Sequence, residues 1–360
     1  MFIDNFLSHW AVYGLLALVP IGLWLLVLKS YLPCNKKYLA LSFVAGMLSV
    51  IPIKLYEKYW DTGVFYLAHT NLFKHLSDVL AVNSLNSLLA YLVATVVVML
   101  GIFVFVAAMM LLLEVCSGDN SAGVYKDKLR KVFESPFFFI SVGVLCGGIA
   151  FISSLSLHEK VWLFMMVGML EEFTKHLVLR FADEEKIHSV GEAIQFSIVV
   201  ALGFAFVENV QYFAAMSQNP LLSWPEFMLL VGLRSLVSVG AHVSFSAILG
   251  YFYGVAKFAT NIYQQEVLEH RHKAIEWMHR VLHLKGEVLF HEQKMMEGVL
   301  LAMILHAAYN SLLEFGYVSL ALPFIAVLLF LVSYLLHQKK LLQRAGEIVR
   351  RPGFVSKNPA

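Results

Sequence analysis

Residues 161–180 read VWLFMMVGMLEEFTKHLVLR: ten apolar or glycine positions, then Glu171, Glu172, Lys175 and His176 set among apolar neighbours, with Arg180 at the end. The stretch matches the roughly 20 predominantly apolar residues that a helix needs to cross a bilayer. In a water-soluble domain it would pass for a helix with one charged end. Its setting decides otherwise, because 59% of the 360 residues are hydrophobic and only 14% charged, whereas soluble domains carry about a quarter charged residues. Ionisable groups therefore sit inside a membrane span, where each costs on the order of 3 kcal/mol at the bilayer centre unless it has a partner or a hydrated cavity.

Working outward from this span, apolar runs of sufficient length fall at 10–28, 39–56, 87–114, 136–156, 190–216, 226–256, 298–317 and 319–337. With 161–180 they make about nine spans, and the fold expected is an all-α polytopic transmembrane helix bundle. The N-terminal MFIDNFLSHW has no basic residue before its first apolar run and no small-residue cleavage site, so the first span reads as retained rather than as a signal peptide. Basic residues orient the chain, because cytoplasmic loops collect Lys and Arg. With the N-terminus outside and the C-terminus cytoplasmic, 21 of them fall inside and four outside, Lys54 among the four. A missed or surplus span would spoil that bias.

The organisation expected is an N-terminal transmembrane region at 1–135 with three spans and an amphipathic outside segment. A core at 136–337 follows, carrying a cytoplasmic helical insertion at 258–297, and then a basic cytoplasmic tail at 338–360. The insertion is amphipathic, with Val267, Ile275, Met278 and Leu282 at helical spacing beside a charged face. Its histidines read as solvated. The three cysteines, Cys34, Cys116 and Cys146, follow no metal spacing and imply no disulfide framework. A net charge of +2 gives no field for nucleic acid, so none is expected as a partner. The partners that follow from the sequence are the lipid bilayer of the plasma membrane and whatever reaches the polar groups within it.

Those groups cluster in four spans. Glu171, Glu172 and Lys175 lie in LEEFTKH, Glu208 and Asn209 in FAFVENVQ, Arg234 and His242 in LRSLVSVGAHVS, and His306 and Asn310 in LHAAYNSL. Glu171 and Lys175 are one helical turn apart, as are His306 and Asn310, so each pair projects from one face. At ~1.5 Å rise per residue, Glu171 and His306 lie at equal depth. A carboxylate beside a second carboxylate and a lysine can hold a water and take its proton, which makes Glu171 or Glu172 the candidate general base. His306 and Asn310 suit donation to an oxyanion. Glu208, His242 and His306 also make up a two-histidine, one-carboxylate set that could hold zinc with one position open for water. These residue types admit activation with or without an ion. Arg234 reads as structural, paired with Glu208 or Glu172, and His176, Arg180 and Glu314 as peripheral.

The motifs resemble the PrsW intramembrane proteases, in the broader superfamily that includes the CAAX prenyl proteases. EEFTK at 171–175 is similar to that family's E-E-x-x-K, FAFVE at 204–208 to its F-E-x-x-E, His242 to its span-borne histidine, and His306 through Asn310 to its closing H-x-x-x-D/N. The resemblance covers roughly residues 160–316. It departs at Ala205, where the family usually has glutamate, and at Asn310, where the PrsW pattern has aspartate and the CAAX-type proteases asparagine. It implies hydrolysis of a peptide bond in a membrane-anchored protein, such as a single-pass anti-sigma factor, with the paired glutamates central and the histidines assisting. PrsW-like proteins are often called metalloproteases, whereas the CAAX-type relatives are viewed as metal-free.

Other proteolytic chemistries fit the sequence poorly, and a rhomboid-type serine at Ser235 or Ser238 beside His242 lacks the usual flanking glycine. His291 and Glu292 are followed by Met295 where an H-E-x-x-H motif needs its second histidine, and no aspartate lies in any span. The competing function is a proton- or cation-coupled transporter using the same carboxylates and histidines. Neither an internal repeat nor a pair of broken spans supports it. A third reading is a non-catalytic scaffold that signals through the 258–297 helices.

Overall fold

The structure is a computed structural model that describes residues 2–28, 36–68, 83–116, 143, 159–182, 187–260, 262–263 and 285–337. Every regular element among them is helical: α1 (Phe2–Leu28), α2 (Lys36–Leu48), α3 (Val50–Ala68), α4 (Asn83–Cys116), α5 (Glu159–Ala182), α6 (Val190–Ser217), α7 (Trp224–Leu233), a π-turn (Arg234–Ser238), α8 (Val239–Lys257), α9 (Gly286–Glu314) and α10 (Val318–His337). Helix is what a membrane allows, since it satisfies all backbone groups within one segment. Seven helical segments among the described residues are long and apolar enough to cross a membrane, matching the expected runs at 10–28, 39–56, 87–114, 190–216, 226–256, 298–317 and 319–337. The run 161–180 lies within α5, which is 24 residues long but too rich in charge to join that set. The expected run at 136–156, the insertion residues 264–284 and the tail fall outside the described residues.

Two elements extend past their sequence limits. The second apolar run continues through Lys54 and Tyr59, and α3 ends only at Ala68. The last part of the expected insertion, from Gly286, is the first part of α9. Helix ends carry the expected chemistry. At the start of α6, Ser189 Oγ accepts the Glu192 N–H at 3.1 Å, while Glu192 Oε2 accepts the His188 N–H at 2.7 Å. α9 closes with Gly316 at φ +76°, the Gly316 N–H donating to Leu313 O and the Tyr317 N–H to Leu312 O, a left-handed stop that a side chain would strain.

Four helices, α5, α6, α8 and α9, form the centre, with α6 against α8, α9 against α5, and α8 against α9. α2 and α1 cover α6, α4 covers α3 and α5, and α10 covers α8 and α9. α2 reaches α6 at backbone contact. A Cβ on Gly203 would collide with the Phe43 carbonyl, and one on Gly46 with the Val200 carbonyl. Such small-residue contacts let membrane helices pack where lipid gives apolar faces no drive to associate. Two hydroxyls inside the bundle are satisfied within their own helices, Thr174 on Leu170 O at 2.7 Å and Ser244 on Gly240 O at 2.8 Å.

Candidate active site

The polar residues of the four central helices meet. Lys175 on α5 is 1% exposed, and its ammonium donates to Glu172 Oε1 at 2.7 Å and to His242 Nδ1 on α8 at 2.9 Å. It also lies 3.8 Å from Glu171 Oε2 and 4.4 Å from the centroid of the Phe204 ring. An acceptor at Nδ1 makes the His242 Nε2–H the donor to Glu208 Oε2, 2.7 Å away. Glu208 in turn receives Arg234 Nη2 at 3.3 Å, and Arg234 Nε donates to Asn209 Oδ1 at 3.0 Å. On α9, His306 Nδ1 lies 2.9 Å from Glu172 Oε1 and its Nε2 faces Glu171 Oε2 at 3.6 Å. The two imidazoles are edge to face, centroids 5.3 Å apart, and Phe245 lies beside His306 at 4.9 Å.

The adjacent glutamates differ. Glu172 is fully buried, with Oε1 shared between Lys175 and His306. Glu171 lines a cavity of about 610 Å³, which Glu172 does not, and the Oε2 of each carboxylate has no hydrogen-bond partner. Successive helical residues point about 100° apart, so one carboxylate turns into the bundle and the other toward the cavity. Glu171, Glu172 and Glu208 set three acidic groups against two basic ones, Lys175 and Arg234, so full ionisation would leave surplus negative charge. The surplus negative charge calls for a proton or a cation.

The cavity is also lined by Glu208, Arg234, Ser238, His242, His306 and Asn310. The π-turn aligns three of them. In an uninterrupted α-helix Arg234 and His242 would be offset by about 80°. The wide turn, with the Val239 N–H bonded to Arg234 O, takes up that drift.

Asn310 lies where the sequence puts it, but its Nδ2 donates to the backbone carbonyl of Phe164 on α5 at 3.1 Å. Arg234 pairs with Glu208, one of its two expected partners. Ala205 packs among apolar residues with Ile21, Ile198 and Val239, away from the cavity. Of the residues read as peripheral, Glu314 lines the cavity, and His176 is buried edge-on against Tyr253. Sequence reasoning missed Lys54 and Glu57, which form an ion pair at 2.6 Å on α3 and line the same cavity, and also Tyr309. The signal for Lys54 was the apolar run that continues beyond it as helix.

The donor atoms within 4.8 Å of one another belong to Glu171, His242 and His306. Glu171 thus stands where the sequence suggested Glu208 as the carboxylate of a metal-type set. Two imidazoles and a carboxylate fit zinc by donor type, and the partnerless Glu171 Oε2 beside His306 Nε2 fits an ion or a proton-sharing water. Both nitrogens of His242 are engaged, so an ion there competes with Lys175 and Glu208 for the ring.

Spanning helices that enclose a locked network of carboxylates, imidazoles and an ammonium define the class, a multi-pass α-helical membrane protein with an ionisable centre between its spans. The family model described as PrsW family intramembrane metalloprotease matches residues 83–337, more than half of the chain, and the chain belongs to that family. It is 34% identical over 98 residues to a protein named Protease PrsW from Geobacillus kaustophilus (strain HTA426), covering 27% of this chain and 39% of that one. To the protein of the same name from Clostridioides difficile (strain 630) it is 34% identical over 101 residues, 27% of this chain and 40% of that one. To that of Shouchella clausii (strain KSM-K16) it is 26% identical over 182 residues, 49% and 67% respectively. The match thus spans about two fifths of the length of the first two relatives. No solved structure matches the chain. Membership of this family does not favour the transporter reading.

Proposed function

We propose that the protein is an endopeptidase of the plasma membrane that hydrolyses a peptide bond in a membrane-anchored protein, with Glu171 as general base. The observation that carries this reading is the Glu171 carboxylate, the one of the adjacent pair that lines the cavity, beside the Lys175 ammonium and His306 Nε2. A water held between Glu171 and His306 gives its proton to Glu171 as its oxygen attacks the amide carbon. Glu172 and Lys175 position the pair: the Lys175 ammonium donates to Glu172, and Glu172 fixes the tautomer of His306 by accepting its Nδ1–H, which leaves the Nε2 lone pair toward the cavity. Glu208 and Arg234 hold His242 on the other side. Glu171, His242 and His306 are the residues that would hold a zinc ion, which when bound supplies Lewis acidity and lowers the pKa of water. The topology in this reading has the N-terminus outside and the C-terminus cytoplasmic, following the bias of the basic residues.

The test uses purified full-length protein in liposomes with a single-pass membrane-anchored reporter. Glu171→Gln is expected to lower cleavage about 10³-fold with an unchanged unfolding temperature, and retained proteolysis would refute the assignment of the base. Metal analysis of the wild type and of His306→Ala separates the two routes of water activation. One equivalent of zinc lost in the variant assigns the ion, and full activity of metal-stripped protein assigns the metal-free route.

A further inference from the structure

Amide hydrolysis moves charge onto the carbonyl oxygen, and a water-excluded site needs a donor there. Of the residues that the sequence suggests for this task, His306 is committed elsewhere and Asn310 is committed in part. One N–H of Asn310 Nδ2 donates to the Phe164 carbonyl and ties α9 to α5, leaving only its second N–H for a ligand. His306 offers Nδ1–H to Glu172 and presents an acceptor at Nε2. One turn of α9 beyond His306, the Tyr309 side chain is 5% exposed, lines the cavity, and has no hydrogen bond among the described residues. Its ring is held edge-on against Phe245 with centroids 6.0 Å apart, and Phe245 lies in turn against His306. The hydroxyl is therefore a donor on a rigid aromatic mount, in the same cavity as Glu171, with its proton unspent.

Resting on the proteolytic reading, we infer that the Tyr309 hydroxyl is the catalytic donor that receives the oxyanion of the scissile amide, while Asn310 is an interhelical anchor. As the water oxygen bonds to the amide carbon, the water proton passes to Glu171 and the carbonyl π pair moves onto oxygen, which accepts the Tyr309 O–H. The C–N bond then breaks, the amine leaves with the proton returned by Glu171, and the carbonyl re-forms. Tyr309 keeps its proton throughout. Water, consumed in the reaction, is the one co-reactant.

Tyr309→Phe preserves the ring and its packing on Phe245, so it tests the hydroxyl alone. Cleavage of the single-pass reporter by Tyr309→Phe in liposomes is expected to lose about 10²-fold in kcat, the scale of one oxyanion donor, with KM within about twofold and an unchanged unfolding temperature. A peptide phosphinate, whose tetrahedral anion mimics the intermediate, is expected to bind the variant about 10²-fold more weakly than it binds the wild type. A kcat within threefold of wild type, or phosphinate affinity unchanged, overturns the assignment. The Glu171→Gln protein keeps the two failures apart. Wild type that cuts while Glu171→Gln is silent and Tyr309→Phe is unimpaired sinks the hydroxyl alone. Wild type that cuts no better than Glu171→Gln sinks the proteolytic reading, and this inference with it.

Discussion

α6 and α10 are both spanning helices, yet 83% of the spanning window of α6 is buried inside the bundle against 22% for α10 and for α1. The peripheral helices are the more uniformly apolar. Leu18 and Val27 of α1, Val104 and Leu112 of α4, and Val327 and Phe330 of α10 all point outward. The interior helices carry Glu208, His242 and His306, and α5 carries Glu171, Glu172 and Lys175. In lipid an apolar face gains little by turning inward. Polar groups and small residues, which lipid accommodates poorly or packs badly, decide which face meets the centre. The difference teaches that in this chain the spans bearing the ionisable groups form the structural interior, the reverse of a water-soluble core.

The sharpest way to break this contrast is to unbalance the interior. Lys175→Met keeps the side-chain length but leaves Glu171 and Glu172 without their cation. Breaking a buried pair from one side costs about 3–5 kcal/mol, so a marked drop in unfolding temperature in detergent is expected, together with loss of cleavage. A loss below 1 kcal/mol would mean that the network is not ionic. Gly203→Val forces a side chain into the Phe43 carbonyl and is expected to cost about 1–3 kcal/mol by overpacking, read out in the same unfolding assay. Arg234→Gln removes a half-shielded partner of Glu208, with the two side chains 22% and 21% exposed. About 1 kcal/mol of stability is expected to go, with a larger fall in kcat than in stability because His242 loses the group that holds Glu208. At the periphery, Phe330→Ala is expected to change stability by less than about 0.5 kcal/mol and to leave cleavage intact. A larger effect would show that α10 meets protein where the bundle leaves it open.

Much of this was legible because span length, helical spacing and depth are properties of the chain itself. The turn between Glu171 and Lys175, and the equal depth of Glu171 and His306, place α5 and α9 together from the sequence alone. The choice between Glu171 and Glu172 was not legible, since both are equally acidic and adjacent, and only the rotation of α5 against α6 and α9 turns one toward the cavity. Asn310 was read by its amide, but its partner is a backbone carbonyl, which leaves no trace in residue identity. Lys54 escaped because a basic residue near the end of an apolar run counts as a loop charge until the helix is seen to continue. The π-turn is set by the tertiary packing of Arg234 and His242 on one cavity, and no residue type announces it.

The glycine contact between α2 and α6 has a consequence for the first third of the chain. Two bare notches facing two carbonyls work like a key cut to a single depth: sliding either rod by one residue would bring a methyl group or larger against a peptide oxygen. Lys54, eight positions after Gly46 on the helix that follows, inherits its height above the Glu171 carboxylate from that index. A fragment beginning at residue 83, where the family match starts, would lose the ruler along with the wall it places.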